Sequence, residues 1–188
     1  MSLEEDFELF LKALQNATSK IETHYFQLPV YGKVTPIYRE RVYCYELYCH
    51  IRDFMVRNRN TFGNQYVLGG EVDKGGHVIR KECEKAVKPD LIVHIPGEMG
   101  YNLAVAEVKP ITATKREICK DLETLHCFLS RANYFGAIYL VYGESKRAEK
   151  TFAKFERMTH EHLGDFDNNR VALIWHRKPQ QSAFCCLY

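Results

Sequence analysis

Asp90, Glu107 and Lys109 are the residues of this chain whose types and spacing could carry out a reaction. Asp90 follows Pro89 and opens the apolar run Leu91-Ile-Val, while Glu107 and Lys109 lie two apart in Leu103-Ala-Val-Ala-Glu-Val-Lys109. Both runs read as strands. Side chains alternate faces along a strand, so Glu107 and Lys109 share one side while Ala106 and Val108 face the other. Paired as a hairpin, the two runs bring Asp90 and Glu107 within a few ångströms of each other. Two carboxylates that close repel unless a cation lies between them. A hard divalent ion such as Mg²⁺, bound through carboxylate and water oxygens, fills that role. The Lys109 ammonium can orient a metal-activated water and offset charge building on a phosphorane-like transition state. An acid on one strand and Glu-x-Lys on the next therefore suit phosphodiester hydrolysis. Glu-x-Lys recurs at Glu144-Ser-Lys146, but between elements and without Pro-Asp upstream, where it reads as solvated charge.

The elements that must hold these side chains follow from apolar periodicity. Ser2 with Glu5 is a capping-box signal, and Phe7, Phe10, Leu11 and Leu14 follow at helical spacing. They predict an amphipathic helix over 3–20, peripheral to the domain. Pro29, Gly32 and Pro36 predict a loop. From Arg39 to about Asn58 the pattern is helical again, with Val42, Tyr45, Tyr48, Ile51 and Met55 on adjoining turns. Residues 66–72 read as a strand interrupted by Gly69-Gly70, and 91–95 and 103–109 as two more, with Pro110 stopping the pairing. Thr114 with Glu117 is a second capping box, opening a helix striped by Ile118, Leu122, Leu125 and Leu129. A strand over 137–142, a helix capped by Ser145 and a strand over 171–175 complete the order. That order predicts an α/β sandwich around one mixed sheet. With 188 residues, 46% of them hydrophobic, and no repeat or linker, a single domain over 1–188 with its core at about 39–176 is expected.

Pro89-Asp90, sixteen residues, then Glu107-Val-Lys109 resembles the PD-(D/E)XK nuclease superfamily. The order helix, three strands, helix, strand over roughly residues 39–142 is similar to its restriction-endonuclease-like core. The resemblance implies a three-layer α/β/α sandwich with a central mixed sheet, Mg²⁺ as cofactor with Mn²⁺ as substitute, and cleavage of DNA or sometimes RNA. It also implies that Asp90 and Glu107 are metal ligands, that the Val108 carbonyl is a further ligand, and that Lys109 is the catalytic lysine. Many members add a glutamate on the first core helix. Glu46, within Tyr45-Glu-Leu-Tyr48, is preferred here because a bare carboxylate among apolar helix positions is costly unless paired or metal-linked. Glu40 competes as a first-turn charge favoured by the helix dipole. Glu71 either adds an acid to the site or lies on an exposed strand face, and the two readings are level.

Lys74, Arg80, Lys81, Lys85 and Lys88 give the segment before Asp90 a local excess of positive charge, and Lys115, Arg116 and Lys120 open the helix after Thr114. Flanking the acids, they could hold phosphates without reading bases. Tyr43, Tyr45 and Tyr48 suit packing better than base stacking, and His77 reads as a loop residue. His160-Glu-His162 lacks the histidine that a zinc-protease helix needs, because Gly164 stands there. Adjacent Cys185-Cys186 read as small hydrophobes. Neither a phosphate-binding Gly-x-x-x-x-Gly-Lys loop nor a Gly-x-Ser-x-Gly elbow is present, which argues against NTPase and serine-hydrolase chemistry. Net charge is only +2, so any basic face is local. Apolar stretches are too short for a bilayer, and the first residues carry four acids and no base before Lys12, unlike a secretory leader. Seven cysteines without a Cys-x-x-Cys pair suggest free thiols in the cytoplasm. The expectation is a Mg²⁺-dependent endonuclease acting on DNA, in a restriction or phage-defence setting, with a homodimer natural for cutting both strands. The alternative is a nucleic-acid-binding or assembly module that kept the fold and lost turnover.

Overall fold

The computed structural model describes residues 2–62, 65–70, 88–98, 102–166 and 169–188. Glu71, Lys74, His77, Arg80, Lys81 and Lys85 lie outside the described residues. Six strands form one sheet in chain order: β1 (Val67–Gly70), β2 (Leu91–His94), β3 (Asn102–Pro110), β4 (Tyr134–Tyr142), β5 (Val171–His176) and β6 (Phe184–Leu187). The β3–β4 and β4–β5 pairs are parallel and the other three antiparallel, so the sheet is mixed. Helices α1 (Leu3–Thr18), α2 (Thr23–Phe26), α3 (Glu40–Arg57) and α4 (Arg59–Phe62) precede it. Each parallel step needs a crossover, and α5 (Lys115–Arg131) and α6 (Ala148–Leu163) supply the two.

Alternation along β3 and β4 divides the core between the two faces of the sheet. Ala104, Ala106, Val108, Ile138 and Leu140 pack with Phe10 and Leu14 of α1 and Tyr43 and Leu47 of α3. Val105, Tyr139 and Val141 pack with Ile118, Leu122 and Leu125 of α5 and Phe155 of α6. Helices thus cover both faces, which is why the central strands are buried almost end to end. Both capping boxes form. Thr114 Oγ1 accepts the Glu117 amide at 3.3 Å, and Glu117 Oε2 accepts the Thr114 amide at 2.8 Å. This cap starts α5 a few residues after β3, beside Lys109.

Some local expectations hold and others need correction. The first helix is amphipathic and packs on the sheet: Phe7, Phe10 and Leu14 are buried, and Phe7 lies so close to Gly136 of β4 that a Cβ there would stand 2.3 Å from its ring. Glycine at 136 is what admits the ring. β1 runs through Gly69 and Gly70, paired with Ile92 and Leu91, instead of breaking at them. Pro110 does end β3, with Tyr142 as its partner in the last pair of the ladder. Ser145 does not cap α6; its Oγ accepts the Arg147 amide at 3.2 Å, and the helix begins at Ala148. The tail forms β6, pairing Phe184 to Leu187 with β5. The segment before β6 is tied to the end of α1: the Ala183 amide donates to Thr18 Oγ1 at 3.0 Å, and the Gln180 amide to the Ile21 carbonyl at 2.9 Å. Cys44, Cys49, Cys119, Cys185 and Cys186 are free thiols, whereas Cys127 is disulfide-bonded, which departs from the expectation of free thiols throughout. Among the described residues no helix is long and apolar enough to cross a membrane.

Candidate active site

The β2–β3 hairpin forms with Leu91 opposite Ala106, and the next step in that register brings Asp90 to Glu107. Beyond Leu91 the ladder stops, and the Asp90 side chain takes the place of a backbone acceptor. Its Oδ2 accepts the Val108 amide at 2.8 Å, fixing the carboxyl at the strand end. The Val108 side chain points into the opposite face of the core. Glu107 is only 5% exposed. Burial, then the negative charges of Asp90 and Asp121, push its carboxyl well above the usual range, and a hydrogen bond with Asp90 acts in the same direction. Asp90 and Glu107 thus form a carboxyl pair that needs a proton or a cation between them.

Lys109 projects from the same face as Glu107. Its Nζ donates to Glu40 Oε1 at 2.8 Å and lies 3.6 Å from Asp121 Oδ2. Burial alone would lower the ammonium, but Asp121, Glu40 and Asp90 outweigh it and hold the proton more tightly than usual. The partners do not respond symmetrically. Asp121 is pushed up to about 7 by burial, against Lys109 but with Asp90 and Glu40. Glu40 is also raised, first by burial. One ammonium shared among four acids secures its own charge and cannot neutralise them all. Cys44 lies in the core near this group, its thiol pushed well up by burial and then by Asp90 and Glu40, and it does not line the site.

These residues line one cavity of about 1330 Å³. Asp90, Glu107, Lys109, Asp121 and Glu40 are buried or half-buried in it, and Lys88, Lys115, Arg116, Lys120 and Arg131 are exposed around them. The enclosed charges are thus mostly acidic, and the exposed rim mixes these cations with Glu117 and Glu123. Of the sequence-predicted cations, Lys88, Lys115, Arg116 and Lys120 come to the cavity.

Glu46 does not join this group. It pairs with His50 one turn on, Nε2 to Oε1 3.1 Å, and does not line the cavity. The α3 stripe of Tyr43, Cys44, Leu47 and Ile51 is buried, and stepping back three or four residues along it reaches Glu40, whereas Glu46 is on the flank. Glu40, not Glu46, is the helix acid at the site. Asp121 and Tyr139 went unread in the sequence, although Asp121 falls three residues after Ile118 on the buried stripe of α5. Tyr43 is core, stacked on Tyr142 at 3.9 Å and bonded through its hydroxyl to His176 Nδ1 at 2.8 Å. Tyr48 donates to the Leu68 carbonyl, and Tyr45 is exposed. His162 Nδ1 bonds the Met158 carbonyl, and Glu144 of the second Glu-x-Lys is solvated beside Lys178 at 3.6 Å.

Among the described residues no group of three His, Cys, Asp or Glu side chains is arranged to hold a metal ion. Mg²⁺ characteristically takes one or two carboxylates and leaves its other positions to water and phosphate. The Asp90–Glu107 pair, two hard oxygen donors with unbalanced charge, fits that ion chemically. No protein-family model matches the chain, and no curated protein matches it. Function has to be argued from the site itself.

Proposed function

We propose that this chain is a Mg²⁺-dependent endonuclease of the PD-(D/E)XK type, with a restriction-endonuclease-like core, that hydrolyses phosphodiester bonds of DNA. The observation that carries the reading is the pairing of half-buried Asp90 with buried Glu107 near Lys109, in a cavity that Lys88, Lys115, Arg116 and Lys120 also line. Asp90 and Glu107 would hold Mg²⁺ or Mn²⁺, with the Val108 carbonyl as the further ligand that the resemblance implies. Such an ion supplies Lewis acidity and makes coordinated water acidic enough to serve as nucleophile near neutral pH. Lys109, once turned from Glu40, would donate to a non-bridging phosphate oxygen and offset charge developing there. Glu40 steadies that ammonium and takes the role first considered for Glu46. Lys88, Lys115, Arg116 and Lys120 bind neighbouring phosphates, a contact without sequence information. A cytoplasmic restriction or phage-defence setting, and a homodimer for cutting both strands, belong to the same proposal.

One observation favours the second reading, a binding or assembly module without turnover. Lys109 is engaged by both Glu40 and Asp121 and not aimed at open space. An assay on plasmid, linear duplex, single-stranded DNA and RNA, with Mg²⁺, Mn²⁺ or chelator, separates the two. The endonuclease cleaves DNA only with metal, and Asp90→Asn and Lys109→Gln each lose roughly 100-fold or more beyond the fraction unfolded in a parallel melt. Salt-sensitive DNA binding with no cleavage under any metal establishes the module instead.

A further inference from the structure

Asp121 lies on the apolar stripe of α5, among Ile118, Leu122 and Leu125, and is only 4% exposed. An acid there destabilises the fold unless it is partnered, and nothing in the Asp…Glu-x-Lys pattern requires it. Its partners are Lys109 Nζ at 3.6 Å and the Tyr139 hydroxyl, which donates to Oδ2 at 3.5 Å. Tyr139 stands beside Glu107 in the β3–β4 register, so its ring occupies the same face of the sheet. Glu40 reaches the same ammonium from α3, which packs on the opposite face. The two acids differ in enclosure: the Glu40 side chain is 34% exposed and that of Asp121 is 6% exposed.

We propose that Asp121, braced by Tyr139, is the positioning residue of Lys109: it holds the ammonium beside Glu107 while Glu40 can turn toward the cavity. This inference rests on the endonuclease reading of the same site and adds to it an acid from the far helix layer. An ammonium on a flexible four-carbon stem needs such a fixed anchor to stay aligned. Glu40 alone, half-exposed at the cavity, does not provide one.

The test reads Lys109 both with and without turnover. Peptide-resolved acetylation of the full chain by an N-hydroxysuccinimide ester reports how tightly the amine is held. In Asp121→Asn, Lys109 should be labelled roughly tenfold faster, with Lys115 unchanged, and Tyr139→Phe should give a smaller rise in the same direction. Cleavage by Asp121→Asn should lose about 100-fold in kcat with KM within about twofold, and Asp121→Glu should recover part of it. An unchanged Lys109 labelling rate in Asp121→Asn overturns the inference. So does a drop in cleavage accounted for by the fraction unfolded in a parallel melt. Faster labelling of Lys109 in a protein that cuts nothing keeps the anchor and removes the endonuclease reading.

Discussion

The buried acids make the metal-free protein less stable as pH rises, and Glu107→Gln should remove much of that dependence. In the unfolded chain an aspartate titrates near 3.8 and a glutamate near 4.5, whereas the folded protein holds Asp121 protonated up to about 7 and Glu107 well above its ordinary range. Above those unfolded values the native state binds more protons than the unfolded one, so stability falls with increasing pH and levels off beyond the folded-state values. For Asp121 the difference spans roughly three pH units at about 1.4 kcal/mol each, a ceiling of about 4 kcal/mol. The effective interior dielectric brings it to about 2 kcal/mol. In a chain of this length that is a fall in Tm of about 4–8 °C from about pH 4 to pH 8, roughly two-thirds of it above pH 5, and Glu107 adds to it in the same direction. Glutamine keeps the shape and hydrogen-bonding reach of Glu107 without the charge, so the slope should flatten. Added Mg²⁺ should stabilise the wild type at pH 8 by about 2.7 kcal/mol at a hundred times its Kd, less at pH 5 where protons compete, and Glu107→Gln much less at either pH. Differential scanning fluorimetry with chelator or Mg²⁺ across this range measures all of it. A wild-type Tm that stays level or climbs from pH 5 to pH 8 in chelator would refute the reasoning, as would an equal Mg²⁺ shift in the variant.

Two other outcomes follow from placement. Glu40→Gln should lower cleavage roughly tenfold or more, since it removes the 2.8 Å partner of Lys109, while Glu46→Gln, which loses only a helix-surface pairing with His50, should stay within about twofold; steady-state rates on a plasmid substrate compare them. Lys115→Ala and Arg116→Ala should each weaken DNA binding without changing sequence preference and reduce the slope of log K against log salt by about one, as filter binding at several salt concentrations would record.

Asp90, Glu107 and Lys109 were legible in the chain because strand alternation is a strict rule and the hairpin register follows from apolar runs of matching length. Both capping boxes were legible because their signal spans three residues and needs no tertiary information. The helix acid was harder. Choosing Glu46 relied on its apolar sequence neighbours, but residues adjacent in a helix diverge by about 100°, and only the spacing from Tyr43, Cys44 and Leu47 points to Glu40. Asp121 was passed over because a lone acid inside an apolar stripe looks like noise until the facing strand supplies a lysine and a tyrosine. The edge strand β6 has only four residues, two of them cysteines, and acquires its strand character from pairing with β5. That information lies in another part of the chain.

The clasp between the end of α1 and the segment before β6 joins positions some 165 residues apart, through Ala183 and Thr18. Drawing together points so distant along a polymer is entropically the most demanding closure, though the demand grows only logarithmically with span. Once fastened, the clasp turns most of the polypeptide into one loop closed by four hydrogen bonds, the Ser182 hydroxyl on the Gln15 carbonyl and the Gln15 side-chain amide on the Ala183 carbonyl among them. Mechanical pulling on the C-terminal end of this protein should therefore peel β6 from β5 first, load the clasp at Thr18 and Ala183 next, and reach the acids last.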